Sequence, residues 1–358
     1  MKLSKKRIGV IGAAIGLVAV LGLSACSPAD MAANQPKPSG AVTDDGVVGP
    51  AEMTKVTLQI EGSAVPYYAP IYEAIEQGYF ADHNLDVEVL YAEGATVVQN
   101  VAAGNVDFGF PNAPGVIAAY ANGVKTKVVH STYQTGIGSI LFNKETSGIK
   151  TVADLKGKTI AVTDLGSPQY LALQLLLEAN GVDISDVKIQ IVGVGAIIQA
   201  LQNGQVDAVS FNSVRYYALK SQGFPVDQFL TDPALPTNGN VLISSPKTLE
   251  QNPDVVAGFI AALDEGIQYS TENPAEAVST SISKYAPTFE GQDEAITEVI
   301  KEIYIKQLWH SADTEKHGLG YGDLKRWQTS IDLLVKGGLI PESFDAKELV
   351  VVEPGKIS

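Results

Sequence analysis

One cysteine, three arginines, four histidines and two tryptophans are all that 358 residues hold of those types. The lone Cys26 excludes an intramolecular disulfide framework and any cysteine-based metal site. The histidines, His83, His130, His310 and His317, stand in unrelated segments without zinc-ligand spacing. No Gly-x-Ser-x-Gly elbow and no Walker loop occurs. No catalytic constellation emerges, and neither a cofactor nor a metal is expected. Basic charge is also scarce, with 25 Lys and Arg against 40 Asp and Glu. Nucleic acid is therefore not an expected partner, because neutralising phosphates needs a basic surface.

The amino terminus indicates a compartment. Lys2, Lys5, Lys6 and Arg7 precede an apolar run over 8–23, which suits a secretory signal and is short for a spanning helix. The run ends in Leu23-Ser24-Ala25-Cys26, which resembles the lipobox of bacterial lipoproteins. That resemblance implies cleavage before Cys26 and lipidation of its thiol, with anchoring by two or more acyl chains. The mature chain then carries 21 basic and 40 acidic residues, a net charge of −19, which repels anionic lipid from the folded part. Residues 27–52 are rich in Pro, Ala, Asn, Gly and Asp and read as a flexible tether.

Strand and helix patterns alternate from residue 55 onward, as in a mainly parallel sheet flanked by helices. Strands are expected over 56–60, 86–90 and 106–110, and helices over 67–77 and around Val97, Val98 and Val101. The pattern recurs with strands over 158–163, 187–192 and 206–211 and with helices over 170–179 and around Ile197, Ile198 and Leu201. Between residues 86 and 113 the two copies align at an offset of 100 without a gap, with seven identities in 28 positions. Chance predicts about two at ordinary residue frequencies. Asp107 and Asp207 recur at a helix-to-strand junction, where turn or capping duty is expected. Two similar α/β lobes facing each other make a cleft in which a small ligand is held. After Asn212 the chain is expected to return to the first lobe, with a strand over 241–244. Asn252-Pro253 and Asn273-Pro274 mark helix starts, and more helix over 294–339 is expected to wrap the first lobe in a structural role. These readings divide the chain into a signal peptide (1–25), a tether (26–53), lobe one (54–135), lobe two (136–238) and a return to lobe one (239–358).

Several stretches resemble one family. They include Tyr68-Ala69-Pro70-Ile71-Tyr72, Gly78-Tyr79-Phe80, Asn84-Leu85-Asp86-Val87, Gly104-Asn105-Val106-Asp107-Phe108-Gly109, Val152-Ala153-Asp154-Leu155-Lys156-Gly157-Lys158, Gly204-Gln205-Val206-Asp207-Ala208 and Glu272-Asn273-Pro274-Ala275-Glu276. Together they are similar to the nitrate/sulfonate/taurine and thiamine-pyrimidine binding proteins of ABC importers. The resemblance implies a two-lobed periplasmic-binding-protein fold, type II-like, with two hinge crossings and docking onto a permease that works with a separate ATPase. It leaves the ligand open. Family members often carry an aromatic-acid-Pro motif where this chain has Asn212-Ser213-Val214.

Candidate ligand contacts follow from position. Ser63, with Gly62, and Ser167, with Gly166, each lie between a strand and a helix, where backbone N–H groups favour an anion; simple capping is the alternative. Thr96 occupies the next such turn. Asn112 and Asn212 end the third strand of each lobe, and their amides both donate and accept. Arg215 is a bidentate partner for an anion if it enters the cleft. Tyr67, Tyr133 and Tyr170 are the tyrosines expected to line the cleft. Hinges are expected over 133–138 and 237–240.

The expectation is thus an exported, lipid-anchored, monomeric solute-binding subunit rather than an enzyme, leaning toward a sulfonate or other small organic acid. A ligand-binding partner of a membrane sensor is one alternative. An enzyme resembling the eukaryotic pyrimidine synthase of the same family is the other, but that enzyme uses a cysteine-rich motif, and none remains here beyond Cys26.

Overall fold

The computed structural model describes residues 53–357. Cys26, the expected signal and all but the last residue of the expected tether lie outside them. Ten strands form in chain order: β1 (Thr54–Glu61), β2 (Leu85–Ala92), β3 (Phe108–Phe110), β4 (Lys127–His130), β5 (Gly138–Asn143), β6 (Thr159–Val162), β7 (Lys188–Ile191), β8 (Ala208–Asn212), β9 (Val226–Leu230) and β10 (Leu242–Ser244). They build two five-stranded sheets, ordered β2-β1-β3-β10-β4 and β7-β6-β8-β5-β9. Helices cover both faces of each, giving a two-lobed α/β periplasmic-binding-protein fold.

Each sheet has one strand running against the other four, β10 in the first and β5 in the second. In both cases it is the strand that has just arrived from the other sheet. The remaining strands point their carboxyl ends toward the cleft, so a chain entering from the cleft side must run the opposite way. Residues 131–137 and 231–241 make these two crossings.

The 100-residue repeat is visible in three dimensions. Asp107 Oδ2 accepts from the Thr57 N–H and the Thr57 hydroxyl, both at 2.8 Å. Asp207 Oδ2 accepts from the Thr159 N–H at 2.8 Å. Each aspartate ties the start of its lobe's third strand to the first strand, which is a folding duty and not acid–base chemistry. Asn252 and Asn273 do occupy N-cap positions, but neither side chain makes a capping bond; Asn273 Nδ2 instead donates to the Tyr269 carbonyl at 3.3 Å.

Alternate strand residues fill cores on both faces of each sheet. Val56, Leu58 and Ile60 of β1 pack with Phe108, Phe259 and Trp309 on one face of the first sheet. Val98, Val116 and Ile243 pack on the other, with Trp327 and Ile331 of the helix Leu324–Lys336. The carboxyl-terminal region differs from expectation in one respect, because this helix touches both lobes. Leu171, Ala172 and Leu175 of the second-lobe helix Pro168–Ala179 join the same core, and a Cβ on Gly337 would lie 2.4 Å from Leu171. The segment Ile300–Trp309 is wound as a π-helix and carries Tyr304 and Trp309 into the first core.

Candidate ligand-binding cleft

A cavity of about 690 Å³ opens between the lobes, inside the range of roughly 300–1,000 Å³ typical of small-molecule sites. The carboxyl end of β1 contributes Glu61, Gly62 and Ser63, and the turn after β3 contributes Asn112 and Pro114. The second lobe contributes Pro168, Gln169, Val194, Asn212 and Arg215. Both crossings form the back wall, including Gly136, Ile137, Thr231, Asp232 and Asn238.

The first lobe presents a carboxylate held in place. Glu61 Oε2 accepts from the Asn112 backbone N–H at 2.7 Å, and both oxygens accept from Asn112 Nδ2 at 2.8 and 2.9 Å. The same Asn112 caps the helix Ala113–Ala121 through Oδ1, which accepts from the Gly115 N–H at 2.9 Å. Gly94 opens the ten-residue helix Gly94–Ala103, and a Cβ there would lie 2.8 Å from the Glu61 carboxylate. Glycine therefore lets the carboxylate rest against a helix N-terminus, whose partial positive charge favours it. The anion-favouring end foreseen for a ligand is occupied in this lobe by the protein's own acid. Tyr68 lines the cleft beside it and donates its hydroxyl to the Glu61 carbonyl at 2.8 Å. Burial, with help from the Glu61 charge, raises the Tyr68 phenol well above its ordinary pKa, so it remains a donor.

The second lobe presents donors. Asn212 Oδ1 caps the helix Ser213–Ser221, accepting from the Arg215 N–H at 3.3 Å, which turns the Asn212 amide nitrogen away from that bond. Arg215 is exposed and pairs with no carboxylate among the described residues.

Ser63, Asn112, Asn212 and Arg215 thus come together in the cleft, and the other five candidates stand elsewhere. Ser167 is buried as a helix cap, its hydroxyl accepting from the Tyr170 N–H at 3.2 Å and donating to the Asp164 carbonyl at 3.1 Å. Thr96 is exposed in the first turn of its helix, where that end already faces Glu61. Tyr170 packs half-buried against the second-lobe core. Tyr67 and Tyr133 lie behind the cleft wall. Tyr67 stacks on Tyr304 at 5.2 Å between ring centroids, and Tyr133 meets Tyr304 and Phe110 edge-on at 5.5 and 5.6 Å. Burial raises both phenols, with Arg215 partly opposing the effect at Tyr67.

Two cleft groups, Glu61 and Asp232, are not among the candidates that the sequence suggests. Glu61 was legible as an acid at a strand end before Gly62-Ser63, but its partner is 51 residues away. Asp232 in the second crossing accepts from the Gly136 N–H of the first at 2.8 Å and is ion-paired with Arg326. The Arg326 guanidinium also donates to the Thr237 carbonyl at 2.6 Å. One arginine of the carboxyl-terminal helix therefore ties both crossings together.

Two α/β lobes joined by two crossings, with a cleft between their strand ends, are the architecture of a solute-binding protein. The chain belongs to the NMT1/THI5-like family, whose model matches residues 65–277. It is 26% identical to the riboflavin-binding protein RibY of Chloroflexus aurantiacus over 342 residues, covering 93% of this chain and 94% of that one. It is 27% identical to the formylaminopyrimidine-binding protein of Halalkalibacterium halodurans over 328 residues, covering 89% and 91%. In fold it is similar to a sulfonate-binding protein of Methylobacillus flagellatus, with a TM-score of 0.66, 19% identity and coverage of 85% and 93%. The two relatives that cover most of the chain are named as binding proteins, a synthase of Legionella pneumophila matches 63% of the chain at 26% identity, and this chain is a binding protein rather than an enzyme. No helix among the described residues is long and apolar enough to cross a membrane.

Proposed function

We propose that this protein captures a small nitrogen heterocycle and delivers it to an ABC permease. The observation that carries this reading is the Glu61 carboxylate, fixed by Asn112 and lining the same cavity as Asn212 and Arg215. A sulfonate or simple carboxylate would meet like charge at Glu61, which disfavours the organic-acid lean of the sequence. A ring with N–H donors on one edge and carbonyl or ring-nitrogen acceptors on another matches an acceptor in lobe one and donors in lobe two. Such rings are also what the two relatives covering most of the chain are named for binding.

Export and lipid anchoring at Cys26 supply the location, supported by the basic, apolar and lipobox pattern of residues 1–26. The two crossings act as the hinge, and ligand selects the closed form that the permease reads. The protein works as a monomer. The test is thermal unfolding of residues 53–358 with aminopyrimidines, flavins, alkanesulfonates and nitrate. A ligand at a hundred times its Kd stabilises by about 2.7 kcal/mol. Stabilisation by a heterocycle supports the reading; stabilisation by sulfonates alone, strengthened in Glu61→Gln, overturns it.

A further inference from the structure

Five large apolar side chains are exposed among the described residues, and three of them lie at or just beyond the carboxyl ends of two paired strands. Ile191 ends β7 and is 62% exposed, Val194 follows it at 64%, and Leu165 leaves β6 at 53%. β6 and β7 pair in parallel with Val162 opposite Ile191. Their following loops therefore emerge side by side at the carboxyl edge of the second sheet, where open α/β sheets take ligands. Val194 is itself part of the cleft wall while Leu165 and Ile191 lie outside it, so the patch borders the cavity at Val194.

Three features distinguish this patch from ordinary surface. Residues 192–196, Val-Gly-Val-Gly-Ala, carry no polar side chain. A Cβ on Gly193 or Gly195 would meet nothing within 4 Å, so the loop offers a low, open surface. The repeated fold does not demand it, since the matching turn in the first lobe reads Glu93-Gly94-Ala95-Thr96. The charged neighbour Asp164 has Oδ1 engaged, accepting from the Gly166 N–H at 2.8 Å.

We infer that Leu165, Ile191 and Val194 form a second ligand subsite that takes a flat, fused ring extending from the heterocycle held at Glu61, Asn212 and Arg215. This rests on the heterocycle reading of the cleft and narrows it from single-ring to multi-ring ligands. The cavity volume of about 690 Å³ leaves room for the larger class.

The experiment compares an aminopyrimidine with a pteridine and an isoalloxazine by calorimetric titration of the wild type and of a Leu165→Ser, Ile191→Ser double variant, which leaves the cleft-wall residue Val194 in place. Both positions are exposed, so folding is retained, and a circular-dichroism melt checks it. In the wild type the fused rings bind about tenfold or more tighter than the single ring, the scale of covering part of one large apolar side chain. The variant loses that increment and keeps single-ring affinity. Equal weakening of all three probes would assign the patch to lobe-to-lobe contact and overturn the subsite. Unchanged binding, with uptake lost in cells, would assign it to the permease and also overturn it. Failure of every ring to bind the wild type overturns the heterocycle reading itself, an outcome separable from the variant's behaviour.

Discussion

Removing the Arg326 guanidinium by Arg326→Met would leave its aliphatic stem packed and strip both crossings of their common tie. Asp232 would keep only the Gly136 N–H, and the Thr237 carbonyl would lose its donor. Exposed ion pairs contribute under about 1 kcal/mol, whereas removing one partner of a buried pair costs about 3–5 kcal/mol. Both side chains are 19% exposed, which places the loss near the buried limit, at about 3 kcal/mol. Burial already raises the Asp232 carboxyl above its ordinary value, against the opposing pull of Arg326 and the Gly136 N–H. Without Arg326 it rises further. A carboxyl whose folded pKa is raised binds its proton more tightly in the folded state, so its favourable contribution is full below the ordinary aspartate pKa. That contribution disappears as pH rises through the folded value. The deficit of the variant relative to wild type is therefore largest at neutral pH and shrinks on acidification. Urea unfolding of both proteins at about pH 7 and about pH 4.5 measures it. Asp232→Asn in the Arg326→Met background recovers much of the neutral-pH loss, because a neutral amide no longer needs the cation. An equal deficit at both pH values, or no recovery in the double variant, would refute the reasoning.

Glu61→Gln removes the charge but keeps an oxygen for Asn112, so heterocycle affinity falls about 10- to 100-fold, the scale of 1.4 to 2.7 kcal/mol for a charge-assisted bond, as read by calorimetry. Arg215→Met lowers ligand affinity about tenfold while shifting unfolding by less than about 0.5 kcal/mol, because the side chain is exposed and unpaired; equal affinity would remove Arg215 from the site. Gly266→Ala places a Cβ 2.1 Å from the Pro70 carbonyl oxygen, where the helix Pro253–Glu272 crosses the helix Ala69–Glu76. Backbone on both sides cannot yield cheaply, so denaturant unfolding shows a loss of about 1–3 kcal/mol.

By itself the sequence determined the alternation of strands and helices and the doubled α/β unit, because these depend on local periodicity, turn residues and a repeat written in register, and the class of protein followed from the resemblance of its motifs to one family. Asp107 and Asp207 were legible as structural for the same reason, since each recurs at the same junction. Asn112, Asn212, Ser63 and Arg215 were legible as cleft residues because parallel sheets direct their carboxyl ends to one side. What only the tertiary structure decided was which polar groups were already satisfied. Asn112 is bound to an acid 51 residues earlier, and Tyr67 and Tyr133 are drawn behind the wall by Tyr304 from the carboxyl-terminal region. Arg326 reaches an aspartate 94 residues away. Periodicity reports the face a side chain leaves from, whereas its partner depends on packing between elements far apart in the chain, and that decided the chemistry the cleft presents.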